Sequence, residues 1–521
     1  MSLSVSKRIA IAVGLSWIGK LIFIVSSLLL MPILFRYMGK EELGLWFLLG
    51  NSQAFLGLLG MGIAPTLTRR IAFAKGKSDS AATEELTTEG NQDIGDWVVT
   101  GRVILQWLSI IIFFIAWISG YGLIRELKLE QVSPQTLFWA WTLMCVGYSI
   151  NVWQAYLGCW LQGIGYVGWD SLIGTILSVT TIGANIIAVL MGGGLVALAI
   201  ISVVSGLFNR FIIIGFIKWR QPELLVIKGR WRKDYATSLI KPAMLYWLTD
   251  LGAFLILRTD AYFISILKGV SNLPQYQATY SLVANLYLVS VSMASASAVF
   301  VSQAWQAGNL ALIQHWTFRN ARIGLSLMAV GVGFVMTVGE NLINVWLGKG
   351  NFVGYDILLV FCTMITLEVQ HVVFVYSGRA TEDEVYAPWA LSAGFLNLIF
   401  TWILIKPFGL LGVAMGTMFA QMLTNNWYAV YRPMKRLNLS FRDYLKEVVS
   451  WWALLLVSSY VLSWISKQVM VSLNFKSDLA IVAASALVCG SLFATFSWNK
   501  TLTNAQRAGF ISRAKMLIKF T

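Results

Sequence analysis

The stretch VILQWLSIIIFFIAWISGYGLI, residues 103–124, decides the fold of this chain. It runs for 22 residues without an Asp, Glu, Lys or Arg. A helix needs about 20 apolar residues to cross the hydrocarbon core of a bilayer. A single segment in lipid satisfies its backbone hydrogen bonds only as a helix. The stretch therefore predicts a membrane-spanning α-helix.

The rest of the chain repeats this pattern. Mean hydropathy is +0.70 and only 12% of the 521 residues are charged, which excludes the soluble class. We predict an all-α polytopic membrane protein with about 14 transmembrane helices, and a count of twelve is the alternative. The predicted spans are 9–34, 43–68, 98–124, 135–160, 168–191, 195–217, 242–267, 276–303, 320–347, 353–377, 386–405, 409–431, 447–466 and 478–498. Turns at 192–194 and 406–409 separate the two tightest pairs.

The positions of Lys and Arg predict the orientation. With the N-terminus inside, 26 of the 39 fall in cytoplasmic segments, nine fall outside and four lie within spans. This bias favours an even number of spans with both termini in the cytoplasm. The net charge of +15 thus reflects topology and attraction to the phospholipid membrane, and it does not indicate nucleic acid. All four cysteines fall inside predicted spans, so neither a disulfide framework nor a metal site is implied.

The chain is predicted to have four parts. Residues 1–217 form an N-lobe of six spans, 218–241 a basic cytoplasmic linker, and 242–431 a C-lobe of six spans. Residues 432–521 add two C-terminal helices and a basic amphipathic cytoplasmic tail. Six spans on either side of the linker, in the same orientation, predict two pseudo-symmetric lobes. The acidic loop 78–96 receives no role from the sequence.

Cations within the spans need a reason, because a charge at the bilayer centre costs about 2.5–3.5 kcal/mol on insertion scales. Lys20 lies near mid-depth in span 1, on a helical face shared with Ser16 and Ser27. Arg210 lies in the inner half of span 6, and Arg258 lies in span 7. A snorkelling lysine and structural ion pairs are the alternatives to a cavity for ligand.

Acidic groups and one histidine also fall within spans. Span 7 carries Asp250 and Asp260; in one regular helix Arg258 and Asp260 would point about 160° apart and would not pair. Glu368 and His371 share a face of span 10. Such a pair either binds a proton or cation or is a hydrogen-bonded link between helices.

Signs of enzyme chemistry are missing from the sequence. It contains no phosphate-binding P-loop, no HExxH and no CxxC motif. The predicted external connections are too short for a catalytic domain. We therefore expect a protein that is not an enzyme.

Several short motifs resemble a known family. They are Phe35-Arg36-Tyr37-Met38-Gly39, Leu43-Gly44-Leu45-Trp46, Leu58-Leu59-Gly60-Met61-Gly62-Ile63, Thr68-Arg69-Arg70-Ile71-Ala72, and Arg258-Thr259-Asp260-Ala261-Tyr262-Phe263-Ile264 before Gly269 and Tyr280. The chain resembles the polysaccharide transporter (Wzx-type) flippases for lipid-linked oligosaccharide. That family belongs to the multidrug/oligosaccharidyl-lipid/polysaccharide exporter superfamily. The family often has an acidic residue before the Gly that ends span 2, and this chain has Gly60-Met61-Gly62 there.

The resemblance implies a flippase of the bacterial inner membrane. Its substrate would be an undecaprenyl-pyrophosphate-linked oligosaccharide, such as an O-antigen, capsule or exopolysaccharide repeat unit, moved between leaflets by alternating access. Polysaccharide polymerase and export machinery are partners by analogy. The alternatives are a cation-coupled drug or metabolite exporter, a lipid II flippase and, from another class, a membrane glycan polymerase or glycosyltransferase.

Site residues follow from the chemistry of that substrate. A pyrophosphate head group needs a cationic cavity, and arginine matches phosphate with its planar fork of donors. We expect Lys20, Arg210, Arg258, Arg36, Asn51 and Asn285 to contact pyrophosphate or sugar. Asp250, Asp260, Glu368 and His371 are candidates for coupling to a Na⁺ or H⁺ gradient. No other cofactor is expected.

Overall fold

A computed structural model describes residues 28–60, 62–77, 88–220, 229–306, 308–381, 385–475 and 477–500, with the isolated residues Ile22, Val25, Ser26, Pro222 and Asp383. The predicted site residue Lys20 and the predicted tail helix at 501–521 lie outside these residues. Within the described ranges the chain is all-helical, without a β-strand.

The helices follow one another with short connections. The first nine are α1 (Leu28–Tyr37), α2 (Lys40–Leu59), α3 (Ile63–Lys77), α4 (Thr88–Glu126), α5 (Pro134–Gly163), α6 (Val167–Leu190), α7 (Leu195–Arg220), α8 (Lys233–Leu257) and α9 (Asp260–Leu267). After a 3₁₀ turn at Val270–Asn272 come α10 (Leu273–Gln306), α11 (Leu310–Leu347), α12 (Tyr355–Ala380), α13 (Ala387–Leu423), α14 (Asn425–Arg436), α15 (Phe441–Tyr444), α16 (Ser450–Ser472) and α17 (Asp478–Lys500).

Eight of the described helical segments are long and apolar enough to cross a membrane. One of them, Gln92–Glu126, contains the stretch 103–124, so the helix predicted there is confirmed. These segments indicate a multi-pass membrane protein. The count of 14 spans and the cytoplasmic position of both termini stay predictions.

The chain divides into two compact units. The first takes in the described residues up to Phe254 together with Ala261–Pro274, and the second takes in Leu255–Asp260 and the described residues from Gln275 onward. The basic linker 218–241 falls within the first unit. The predicted lobes and domain boundaries stay a prediction.

Helix α5 is central to the first unit, where it packs against α3, α4 and α7. Small residues allow the close approach of α4: a Cβ at Gly120 would collide with the Trp141 ring, whose Nε1 donates to the Ala116 carbonyl at 3.2 Å. Helix pairs in membranes pack through such small residues because lipid supplies no hydrophobic force between them.

Helix α11 is the core of the second unit. In the most apolar stretch of α11, 72% of the residues are buried, whereas in that of α6 in the first unit 17% are buried. Helix α11 therefore faces protein on most sides. The two C-terminal helices, α16 and α17, both pack on it. Gly333 of α11 lies against Ser459, and Thr337 is hydrogen-bonded to Ser463.

The predicted turn at 406–409 is confirmed. Helix α13 is interrupted at Gly409, where φ is +59°, a conformation that glycine adopts without strain. Cβ atoms at Gly412 and Gly416 would meet Leu404 and Thr401 respectively, so the two arms of α13 fold back on each other. The turn predicted at 192–194 also lies between two helices, α6 and α7.

The predicted seventh span, 242–267, is not one regular helix. Helix α8 ends at Leu257 and α9 begins at Asp260, with Arg258 and Thr259 between them. The angle expected between Arg258 and Asp260 assumed an unbroken helix, so it does not apply here, and the expectation that the two do not pair stays a prediction. The interruption falls where two charged residues flank a threonine inside an apolar segment.

Candidate functional site

Asn397 of α13 stabilises the interruption between α8 and α9. The last carbonyls of a helix lack intrahelical partners. The Asn397 amide nitrogen Nδ2 donates to the carbonyl oxygens of Leu255 and Ile256, at 2.9 and 3.4 Å. Thr259 Oγ1 lies 3.1 Å from the same nitrogen and donates to the Leu255 carbonyl at 2.9 Å. Asn397 is fully buried, so this amide replaces the water that would otherwise satisfy those carbonyls.

The interruption places Asp260 in the first turn of α9, where the helix dipole favours a negative charge. Tyr276 Oη donates to Asp260 Oδ2 at 2.8 Å, and Thr417 Oγ1 lies 3.0 Å from Oδ1. Thr417 Oγ1 is also 2.9 Å from Asn397 Oδ1. The Thr417 hydroxyl has one proton for these two acceptors, so its donation depends on whether Asp260 is protonated.

Glu368 and His371 lie one turn apart on α12, in the same unit as Asp260. Glu368 Oε2 and His371 Nδ1 are buried without a hydrogen-bond partner among the described residues. The hydrogen-bonded link that the sequence left open is therefore not formed by these two atoms. Tyr280 lies within electrostatic range of Asp260, Glu368 and Arg258.

We refer to Asp260, Tyr276, Tyr280, Glu368, His371, Asn397 and Thr417 as the acidic cluster. Its two tyrosines pack edge-on against Phe361. The Phe361 ring centroid lies 5.0 Å from that of Tyr276 and 5.3 Å from that of Tyr280. A carboxylate surrounded by hydroxyl and amide oxygens can take up a proton or a Na⁺ ion. Among the described residues no group of three His, Cys, Asp or Glu side chains could hold a metal.

The first unit contains a second polar site between α5 and α7. The Arg210 guanidinium lies over the Trp153 ring, with Cζ 4.2 Å from the centroid. An arginine over an indole face is attracted by the ring quadrupole, and the attraction strengthens without water. Arg210 Nη1 is nevertheless buried without an acceptor among the described residues.

Neighbouring polar groups on α5 are incompletely paired as well. Gln154 Nε2 donates to Asn151 Oδ1 at 2.8 Å and to the Gly206 carbonyl of α7 at 2.9 Å. Gln154 Oε1 and Trp153 Nε1 have no partner in the described part of the chain. We call Asn151, Trp153, Gln154 and Arg210 the cationic cluster. Buried polar atoms in native proteins are nearly always paired, so this concentration of unpaired atoms calls for an explanation.

The contacts described for Arg36, Asn51 and Asn285 are with residues outside both clusters. Arg36 is exposed at the end of α1 and lies over Tyr37, with Cζ 5.8 Å from the ring centroid. Asn51 Nδ2 donates to the Phe47 carbonyl at 2.9 Å, and Asn285 Nδ2 to the Ser281 carbonyl at 2.8 Å. Each of these two bonds joins residues of the same helix, α2 for Asn51 and α10 for Asn285.

The structure describes the side chain of Arg258 but not that of Asp250, both residues of the predicted span 7. Arg258 is exposed at the interruption before α9. Asp250 lies within α8, and its side chain is outside the described part of the structure. Its role in ion coupling stays a prediction.

The acidic first turns of α4 contact the basic linker. Asp96 Oδ1 accepts the Arg230 amide at 2.7 Å, and the Tyr235 hydroxyl donates to Asp93 while its ring stacks on Trp97 at 4.0 Å. Burial and then the Asp93 carboxylate raise the pKa of Tyr235 to about 12. The tyrosine therefore stays protonated and able to donate at neutral pH.

Exposed ion pairing adds little to this contact. The hydrogen bond from Arg232, also in the linker, lowers the pKa of the Asp234 carboxyl below its usual value. Both side chains are in water, where such pairs contribute little. The contact of the linker with α4 therefore depends on Asp93 and Asp96.

Sequence reasoning identified Asp260 and Arg210 but missed their partners Tyr276, Thr417 and Trp153. Tyr276 follows Asp260 by 16 residues and Thr417 follows it by 157, each on a different helix, so no spacing within one helix links them to Asp260. Trp153 gave a weak signal, because it stands between two polar residues, Asn151 and Gln154, in the same apolar segment.

Comparison with known proteins gives a result for the fold alone. No protein-family model matches the chain, and no curated protein matches it. Its structure is similar to the lipid II flippase MurJ in an inward closed conformation. The TM-score is 0.68 at 15% identity, over 93% of this chain and 98% of MurJ.

Two transporters of the MOP superfamily are also similar. A multidrug resistance MATE family transporter in an inward-facing conformation gives a TM-score of 0.65 at 13% identity, covering 80% of this chain and 94% of that one. A MOP superfamily transporter from Pyrococcus furiosus gives 0.57 at 14% identity, covering 84% and 97%. The chain therefore has the fold that is seen in this lipid II flippase and in these two MOP superfamily transporters.

Proposed function

We propose that this protein is a flippase of the bacterial inner membrane that moves undecaprenyl-pyrophosphate-linked oligosaccharide from the cytoplasmic to the outer leaflet. The transporter fold supports membrane transport in general. The motif resemblance at residues 35–72 and 258–264 supports a lipid-linked oligosaccharide as the substrate. Alternating access, and cooperation with polysaccharide polymerase and export machinery, belong to the same proposal.

The observation that carries the choice of an anionic substrate is the unpaired donor of Arg210. A buried guanidinium nitrogen without an acceptor costs free energy, which a bound anion would recover. A pyrophosphate offers the planar acceptor geometry that arginine fits best. The adjacent Gln154 Oε1 and Trp153 Nε1 offer an acceptor and a donor for sugar hydroxyls.

Coupling to an ion gradient is the part of the proposal that rests on the acidic cluster. When Asp260 is ionised, the Thr417 hydroxyl can donate to it. When Asp260 is protonated, the carboxyl group can donate to Thr417, whose own proton then turns to Asn397 Oδ1, 2.9 Å away. Protonation thus reverses the bond between α9 and α13 without breaking it, and Na⁺ in place of the proton would draw on the same oxygens.

A cation-coupled drug or metabolite exporter is the second candidate, because the acidic cluster is also suited to organic cations. A lipid II flippase differs from the proposed function only in its substrate. A membrane glycan polymerase would need catalytic groups, and none was identified in the sequence. The three transport functions can be separated by what crosses the membrane, and the polymerase by a product of increased length.

Purified protein in proteoliposomes provides the test. We expect movement of undecaprenyl-pyrophosphate-linked oligosaccharide of unchanged length, with lipid II and an organic cation as competing probes. Arg210→Gln should slow that movement about tenfold, the effect of one lost charge-assisted bond of about 1.4 kcal/mol. Arg102→Gln, which removes an exposed arginine of α4, is the matched control. Lys20→Gln tests the predicted contact outside the described residues.

The outcomes separate the candidates. Transport of the cation alone would replace the flippase by the exporter, and transport of lipid II alone would replace the oligosaccharide substrate. Equal rates for Arg210→Gln and Arg102→Gln would remove the cationic cluster from the proposal.

A further inference from the structure

A cavity of about 480 Å³ lies in the second unit, away from the acidic cluster. The N-terminal part of α11 contributes His315, Arg319 and Arg322 to its lining. The segment that follows α14 contributes Asn438 to Ser440, and the end of α17 contributes Lys500. All three parts of the chain belong to connections predicted to be cytoplasmic.

The cavity wall is fixed by bonds within the protein. Gln314 Nε2 donates to the Leu437 carbonyl at 2.8 Å, which ties the segment after α14 to α11. Asn438 closes that segment in the left-handed conformation, with φ of +49°. Arg322 donates to Glu447, from Nη2 to Oε2 at 2.5 Å and from Nε to the carbonyl oxygen at 3.0 Å. Arg322 and Glu447 therefore neutralise each other.

The remaining charges leave an excess of cations. Arg319 Nε is buried and has no acceptor among the described residues. Lys500 lies over the Trp451 ring, with Nζ 5.0 Å from the centroid, and forms no salt bridge in the described ranges. Asp443 is the one lining carboxylate apart from Glu447. Two cations thus face one carboxylate, and a buried donor of one cation needs an acceptor.

The surroundings place the cavity at the membrane surface. Trp451 begins α16 and Trp498 ends α17, the positions at which tryptophans mark the head-group region. Further along the same helices, Leu454 and Leu487 are 55% and 73% exposed, as expected of side chains that face lipid. Residues 501–521, which follow Lys500, contain no Asp or Glu, so their side chains offer no carboxylate to the cavity.

We propose that this cavity binds a phosphate group, supplied by the head group of an anionic phospholipid of the cytoplasmic leaflet. Arg319 donates to the phosphate oxygens, and Lys500 contributes a second charge at the rim. Burial makes the arginine bond strong, because few waters compete for the donor. The apolar faces of α16 and α17 leave room beside the cavity for the acyl chains. The site is separate from the proposed transport function.

Thermal unfolding of the purified full-length protein in a zwitterionic detergent tests this site. Phosphatidylglycerol should raise the unfolding midpoint more than phosphatidylcholine does. Arg319→Gln should weaken the apparent affinity for phosphatidylglycerol about tenfold, and Lys500→Gln should weaken it about threefold. Arg442→Gln is the matched control, since Arg442 is an exposed cation of α15 that does not line the cavity.

Inorganic phosphate distinguishes the two sources of the anion. If phosphate alone reproduces the stabilisation, and Arg319→Gln abolishes it, the phosphate site stands and the lipid is not its ligand. If phosphatidylglycerol stabilises Arg319→Gln, Lys500→Gln and Arg442→Gln as much as the unaltered protein, the proposal is overturned. Should Arg319→Gln fail to fold, the surface variant Lys500→Gln alone decides between these results.

Discussion

The polar groups around Asp260 and those around Arg210 show two ways to place a charge in an apolar interior. Both Asp260 oxygens accept hydroxyl bonds, and Asn397 uses its amide nitrogen and its oxygen. Arg210 has an aromatic ring beneath it but a buried nitrogen that has no acceptor among the described residues. The bonds of Asp260 and Asn397 are complete without a ligand, although Glu368 Oε2 and His371 Nδ1 of the same cluster have no partner among the described residues. The arrangement around Arg210 is incomplete, and an anion would complete it.

The largest expected effect comes from Asp260→Asn. The amide cannot bind and release a proton, so transport should lose its dependence on the ion gradient. A gradient of one pH unit can support up to about tenfold accumulation for each coupled proton, and we expect that accumulation to fall to the level without a gradient. Proteoliposomes with an imposed pH or Na⁺ gradient measure it.

The control for this variant is Asp356→Asn, which neutralises an exposed carboxylate in the first turn of α12. Exchange of substrate without a gradient should survive in both variants. Persistence of gradient-dependent accumulation in Asp260→Asn would show that the acidic cluster is structural.

Two leucine variants compare how much the acidic cluster and the cationic cluster contribute to the stability of the protein. Asn397→Leu leaves the Leu255 and Ile256 carbonyls without their amide donor at a helix end, which should cost about 3 kcal/mol of unfolding free energy. Gln154→Leu also removes a side-chain amide oxygen that has no partner among the described residues, and the Gly206 carbonyl that it leaves without this donor lies within a helix. We expect a cost of about 1 kcal/mol there.

Both costs are measurable by denaturant or detergent-induced unfolding of the purified protein. Asn285→Leu, which loses a bond to the preceding turn of its own helix, gives the baseline. Equal costs for Asn397→Leu and Gln154→Leu would remove the distinction between a complete and an incomplete network.

The smallest effect is expected at the contact between α4 and the basic linker. Tyr235→Phe removes the bond to Asp93 and should weaken this contact by about 1 kcal/mol. Because the pKa of Tyr235 is raised to about 12, its bond is fully present below the usual tyrosine pKa and is lost as the pH rises through about 12. The effect of the substitution should therefore not vary between about pH 6 and 9.

Limited trypsin cleavage measures how easily the linker separates from α4. The cleavage sites are Lys228, Arg230, Arg232 and Lys233. Tyr37→Phe, at an exposed tyrosine of α1, serves as the control. Unchanged cleavage in Tyr235→Phe would mean that the bond to Asp93 is not needed to hold the linker against α4.

Hydropathy and charge were enough to predict the helical membrane fold, because crossing a bilayer imposes a length and a composition on each helix. The turn at Gly409 was predictable for the same reason, since a short polar and glycine-containing run interrupts two apolar stretches. The interruption at Arg258 and Thr259 was not predicted, because it depends on Asn397, a residue more than a hundred positions away.

The site was predicted in part. Charged residues in apolar segments are rare enough to identify Arg210, Asp260 and Glu368 from the sequence alone. Whether each is paired depends on hydroxyl and aromatic side chains that occur throughout the chain, such as Thr417 and Trp153. Arg319 was missed because it lies at the edge of a span, where a cation needs no special reason.

The interleaving of the two units along the chain has a consequence for how the protein can be divided. The segment Ala261–Pro274 returns to the first unit after Leu255–Asp260 has entered the second. Within that segment, the Val270 carbonyl packs so close to Gly44 of α2 that a side chain at position 44 would collide with it. A polypeptide that ended at the basic linker would lack part of the first unit, which the second polypeptide would carry in addition to the whole of the second unit. A cut after Pro274 would leave the first unit whole, and during synthesis that unit has all its residues only once Pro274 has been added.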